Sequence, residues 1–248
     1  SRPIPPDEAT RLLHEAVLIR SDLEREPLDA AAHRIAALLS HPTSATDRKL
    51  RLHLLCVQGD LEFQRDLDAA EASWNEALEI AAAIGAGDWE SRAKGELGTI
   101  AFLKGELRES LTLVGQAFLA AGASGDVAAQ IRYQTALGEG FAEFGRPNDA
   151  IRLFNKALVL ARNTPGAYFP FTAHVGKARL LALDGDGKEG HRLLETSMCR
   201  SSLPRAQVVI FSNCRPKKSS QANGMACNSG PARLAFKSCR LPVDGLKN

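Results

Sequence analysis

The chain has 248 residues, 44% of them hydrophobic, 24% charged and only 6% aromatic, with a net charge of +2. Ala and Leu dominate, which suits close-packed helices better than a β-sandwich. No apolar run approaches the roughly 20 residues of a membrane helix, and no basic start followed by an apolar stretch reads as a signal peptide. A cytoplasmic protein without a membrane partner is therefore expected. The chain opens on Ser1 rather than Met, which leaves room for an upstream portion.

Along the chain the sequence matches itself at a shift of 40 residues. The first copy places Val17 and Leu18 before a turn at Arg25, then Ala30, Ala37 and Leu38. The second repeats this as Val57 and Gln58, Arg65, then Ala70, Trp74, Ala77 and Leu78. The third reads Leu97-Gly98, Gly105, Ser110, Val114, Ala117 and Phe118. In the fourth, Leu137, Gly138 and Phe141 share one helical face, Gly145 and Pro147 break the helix, and Ala150, Phe154, Ala157 and Leu158 form a second face. The fifth is degenerate, with Lys177 at an apolar position, Ala178, Gly185, Gly190, Leu194 and Met198. Small residues flanking a large one let two helices approach closely while the large side chain fills the gap. Each copy is thus predicted to be a helix–turn–helix hairpin with one face unburied, and stacking buries that face. The expected fold is all-α, a right-handed superhelical solenoid of about ten helices over residues 7–198, best defined over 50–162.

Beyond residue 198 the patterning stops. Residues 199–248 hold nine Lys or Arg and one acid, leaving 22 basic against 28 acidic residues, a charge of −6, for residues 1–198. Four of the five cysteines (Cys199, Cys214, Cys227, Cys239) lie in this stretch, with no close pair of the kind a zinc ribbon needs. A basic, Cys/Ser/Pro-rich unstructured tail is expected, either a solvated extension or the product of translation in a shifted frame. Arg215-Pro-Lys217-Lys218 is the segment a nucleic acid would contact through its phosphates, but composition alone does not favour that partner.

The motif Leu137-Gly138-x-x-Phe141, Gly145, Ala150, Phe154 and Ala157 resembles the signature of the tetratricopeptide repeat family, and Leu97-Gly98, Gly105, Ser110, Val114 and Ala117 match it nearly as well. The family's usual period is about 34 residues, so this chain is similar to its long-repeat variety. The resemblance implies a non-catalytic scaffold that binds a protein or peptide in the groove lined by the first helix of each pair. By that register the groove carries Phe63, Arg92, Thr99, Phe102, Arg132, Thr135, Glu139 and Arg179. A solvated helix face accounts for the same residues. The family's chaperone-binding members hold a C-terminal carboxylate with Asn and Lys, whereas this chain has Gly95, Thr99, Thr135 and Glu139 at the corresponding positions. A second functional reading is a ligand-sensing arm of a larger regulator whose DNA-binding or protease-like output domain lies outside this chain.

Catalytic patterns are not found. Gly185-Asp-Gly187-Lys-Glu-Gly190 has dinucleotide-fingerprint spacing but follows a helical stretch, where that fingerprint needs a strand. Asp184 and Asp186 lack the Glu that completes a calcium loop. The six histidines offer no i, i+4 pair, and no G-x-S-x-G is present. No enzyme activity, cofactor or metal is expected.

Overall fold

The computed structural model describes residues 7–22, 25, 27–164 and 170–200, with side chains to residue 195. The stretch expected to be a tail falls, from residue 201 onward, outside the described residues. Among the described residues there are eleven helices and no strand: α1 (Glu8–Asp22), α2 (Leu28–Leu39), α3 (Pro42–Thr46), α4 (Arg48–Glu62), α5 (Leu67–Ala83), α6 (Gly87–Lys104), α7 (Leu107–Ser124), α8 (Val127–Glu143), α9 (Pro147–Asn163), α10 (Phe171–Leu183) and α11 (Gly187–Arg200). None of these helices is long and apolar enough to cross a membrane. Consecutive helices from α4 onward pack on one another, and alternate helices α6, α8 and α10 also touch, as in a stack of antiparallel pairs.

The turns reveal a period half that of the hairpin. Gly85, Gly105, Gly125, Gly145 and Gly185 all have positive φ, from 68° to 95°. At each one the next residue's amide reaches back five residues, as in Ala86 to Ala81 O (2.9 Å), Glu106 to Ala101 O (2.9 Å) and Arg146 to Phe141 O (2.9 Å). This closure satisfies carbonyls that a helix end leaves open, and it needs a left-handed residue. The following residue often starts the next helix: Asp126 accepts from the Ala129 amide at 2.9 Å, and Asp186 from the Glu189 amide at 3.3 Å. Left-handed glycines thus close helices at 20-residue intervals from Gly85 to Gly145, and again at Gly185. Gly105, Gly145 and Gly185 turn the chain within hairpins, and Gly85 and Gly125 do the same work between them.

Inner and outer helices bury different surfaces. The outer helix α9 buries a single stripe, Ala150, Phe154 and Ala157. The inner helix α6 buries Ser91, Ala93, Gly95, Leu97, Gly98, Ile100 and Ala101, which are spread around its circumference. An inner helix is packed by its own partner and by both neighbouring hairpins, so it carries small residues where an outer helix carries charge. The expected small-residue crossings are present: Ala77, Ala117 and Ala157 are each 0% exposed, with Trp74, Val114 and Phe154 between them and the start of the outer helix.

The first pair departs from the expected register. Val17 and Leu18 are exposed, at 44% and 43%, as are Ala30 and Ala37; the buried residues are Leu12, Ala16 and Ile19 in α1 and Ala31, Ile35 and Leu38 in α2. The hydrophobic stripe has slipped by one or two positions, because α1 and α2 both pack mainly on α4 rather than on each other. The short α3, which the repeat did not predict, closes this end. Its buried Ser44 hydroxyl donates to Leu38 O at 2.6 Å. Outside, the hairpins are laced by ion pairs 36 residues apart, Arg65 to Asp29 (2.9 Å) and Lys104 to Asp68 (2.5 Å).

Candidate functional site

The inner face is formed by α4, α6, α8 and α10. Its registration depends on which glycine seats which outer side chain. A Cβ on Gly98 would meet Val114 at 2.6 Å and one on Gly138 would meet the Phe154 ring at 2.6 Å, whereas in α4 the residue against Trp74 is Gly59, at 2.5 Å. The α4 register is therefore one residue later than the 40-residue alignment through Gln58 implies. With that correction Asp60, Thr99, Glu139 and Arg179 form one column across the four inner helices, and His53, Arg92 and Arg132 form a second.

Asp60 is the centre of the N-terminal part of this face. Arg92 Nη2 donates to both Asp60 oxygens, at 3.2 and 2.9 Å, and Arg20 Nε of α1 lies 3.0 Å from Asp60 Oδ2. One carboxylate thus ties α1, α4 and α6 together. The Arg92 guanidinium also lies over two indoles, 5.2 Å from the Trp74 ring centre and 5.5 Å from that of Trp89. The His53 ring meets Trp89 edge-on at 4.5 Å. Burial first, and then Arg92, push the His53 imidazole below its ordinary range. Cys56, one turn before Asp60, is buried, and desolvation pushes its thiol up to about 12, so it is an inert core residue.

The remaining arginines are engaged too. Arg132 lies 5.0 Å from the Tyr133 ring centre and donates to Tyr133 Oη at 3.3 Å, while that hydroxyl donates to Ser91 O of α6 at 3.1 Å. Gly95 leaves the space that the Tyr133 ring occupies. Arg179 donates to Glu143 at 3.3 Å from α10 to α8. Among the residues expected in the groove, Arg92 and Arg179 are thus inter-repeat ties, whereas Arg132 engages Tyr133 of its own helix, whose hydroxyl makes the bond to α6. Phe63 caps the C-terminus of α4 and packs on the core around Trp74, and Thr135 is buried with its hydroxyl donating to Ile131 O at 2.8 Å. Thr99, Phe102 and Glu139 converge, with Gly98, Ser110, Val114 and Ala136, around one small cavity between α6, α7 and α8. Desolvation raises the Glu139 carboxyl to about 7; Arg179 opposes the shift and Glu143 adds to it.

Asp60 and Glu96 are charged residues of the inner helices that the sequence register did not single out. Asp60 was legible in principle, since it stands where Thr99 and Glu139 stand once Gly59 is taken as the seat for Trp74. Glu96 is held above the usual carboxylate range by burial and by Asp60, against the pull of Arg92, Arg132 and Arg20. The Gly185–Gly190 segment is the turn between α10 and α11 and follows a helix, so it lacks the strand a dinucleotide site needs. Among the described residues, no three His, Cys, Asp or Glu side chains are grouped to hold a metal.

No family model matches the sequence, and no curated protein matches it. Solved structures do. The protein BtubC (BKLC) from P. vanneervenii superposes over 90% of this chain and 100% of its own, with a TM-score of 0.56 at 13% identity. A putative kinesin light chain from Podosopora anserina with nearly identical TPR-like repeats covers 83% of this chain and 99% of its own, at TM-score 0.59 and 15% identity. PilF of Pseudomonas aeruginosa covers 82% and 83%, at TM-score 0.56 and 15% identity. The chain has the fold of a tetratricopeptide-like helical solenoid.

Proposed function

We propose that this protein is a non-catalytic scaffold that holds an extended segment of another protein along the inner face of α4, α6, α8 and α10. The observation that carries this reading is the column Asp60, Thr99, Glu139 and Arg179, one polar side chain per inner helix in register. An extended peptide laid across such a column meets one side chain from each successive helix, which is how a repeat surface reads a linear segment. The fold supports the reading, because a stack of hairpins presents a long continuous inner surface. Within the face, the arginines fix the spacing of the helices while Thr99, Phe102 and Glu139 remain for a partner.

The test is to block the face. Thr99→Trp puts a ring on the inner surface, and Thr112→Trp puts the same ring on the exposed side of α7 as a control. Binding of partner segments recovered by peptide display should fail for the first and persist for the second, both variants keeping the parental helical circular dichroism. Equal binding by both variants would remove the inner face from consideration.

A further inference from the structure

The charges on the inner face are unevenly committed. Arg20 and Arg92 share Asp60, Arg132 donates to Tyr133, and Arg179 to Glu143. Glu96 has Arg92, Arg132 and Arg20 around it. Glu139 has only Arg179, which is shared with Glu143, so this patch carries one negative charge more than it balances. Arg179 and Glu143 are the charges that act on Glu139, and the α6 and α7 residues lining the cavity beside it, Gly98, Thr99, Phe102, Ser110 and Val114, are uncharged. Among the described residues nothing donates a hydrogen bond to the Glu139 carboxylate or closes an ion pair with it, although it is largely desolvated.

We propose that the cavity beside Glu139 is a subsite for the side-chain ammonium of a lysine in the partner segment, with the Glu139 carboxylate as its counter-ion. This rests on the inner-face reading above. Its volume of about 20 Å³ accommodates one water-sized group, which an ammonium is and a planar guanidinium is not. Phe102 and Ala136 supply apolar surface for the lysine's methylene stem. The Thr99 hydroxyl donates to Gly95 O at 3.0 Å, which turns its lone pairs outward as a second acceptor. A desolvated carboxylate with only a shared counter-ion is costly to keep charged, and a bound ammonium restores the interaction that water no longer provides. Because burial holds the free Glu139 carboxyl at about 7, binding draws off its proton and should strengthen as pH rises through that value.

The experiment probes a large array of immobilised random dodecapeptides with the full chain at pH 8 and pH 5.5. Expected is a bound set enriched in lysine over arginine at pH 8, weaker at pH 5.5. Glu139→Gln should bind those peptides roughly tenfold less tightly, the loss of one charge-assisted contact, and lose the pH dependence. That variant removes a desolvated acid, so its thermal melt should match or exceed the parent's, and weaker binding would not reflect unfolding. Lysine enrichment that survives Glu139→Gln, or a bound set without it, overturns the ammonium subsite; the inner-face reading then stands if Thr99→Trp still abolishes binding. Peptide binding untouched by Thr99→Trp, or absent altogether, overturns both.

Discussion

At the scale of single residues, two kinds of glycine carry different constraints. Gly105 sits at φ 84° with nothing within 4 Å of a would-be Cβ, so its only requirement is the left-handed backbone. Gly105→Ala should therefore cost about 1 kcal/mol in urea unfolding, the steric cost of that conformation and no more. Gly138 is different. Its Cβ would meet the Phe154 ring at 2.6 Å, and the same ring lies against Gly176 from α10. Phe154 is 0% exposed and bridges three helices through those two glycines. Phe154→Ala should lose about 3–5 kcal/mol, the transfer and cavity terms together. Ala157→Leu should lose about 1–3 kcal/mol by overpacking. A thermal or urea melt of either variant that overlays the parent would show that this crossing is loose.

At the scale of elements, hairpins are also coupled on the inner face by ion pairs. Asp60 on α4 balances Arg20 on α1 and Arg92 on α6, and side-chain exposures of 21% for Asp60 and 18% for Arg92 place that pair out of free solvent. Asp60→Asn leaves two half-desolvated guanidiniums against one neutral amide. We expect it to cost about 2 kcal/mol in urea unfolding, between the values for an exposed and a fully buried pair. Lys104→Ala is the contrasting case. Lys104 pairs with Asp68, which is 86% exposed, and with Glu71, so solvent screens the contact and the loss should be smaller than that of Asp60→Asn. Equal losses for the two variants would mean that the Asp60 tie contributes no more than an ordinary surface contact.

At the scale of the whole molecule, stability acquires a pH dependence from the inner face. Glu139 in the folded chain titrates near 7, above the 4.5 of an unperturbed glutamate, because burial disfavours its charged form. Its contribution is fully present below about 4.5 and is lost as pH rises through 7, since the unfolded chain gives up this proton first. Glu96 is shifted in the same direction by burial and Asp60. Between pH 4.5 and 7 the melting temperature of the parent should fall relative to that of Glu139→Gln, and the two curves should run parallel above pH 8. Parallel curves over the whole range would place the Glu139 carboxylate in water. A lysine-bearing partner should remove the penalty at neutral pH, making the free solenoid the less stable form there.

Hairpin architecture follows from local pattern. Ala117 with Val114, and Ala157 with Phe154, recur at the spacing one helical face requires, and such a face forces pairing whatever the remote parts of the chain do. Gly105, Gly145 and Gly185 mark turns for the same reason: a positive φ is a property of one residue and its neighbours. Registration between hairpins is a different matter. Whether Gln58 or Gly59 faces Trp74 is decided by how α4 seats on α5, and that single position determines whether Asp60 reaches Arg20 and Arg92. The slip in α1 and α2 likewise arises because both lean on α4, a contact between elements that no periodicity within either one encodes. The 40-residue register names residues of the inner helices by type and approximate place, but it does not say which of them are tied to a neighbouring repeat. An arginine reads the same in sequence whether it meets a carboxylate 36 residues away, as Arg179 meets Glu143, or faces water; only the folded distances distinguish the two.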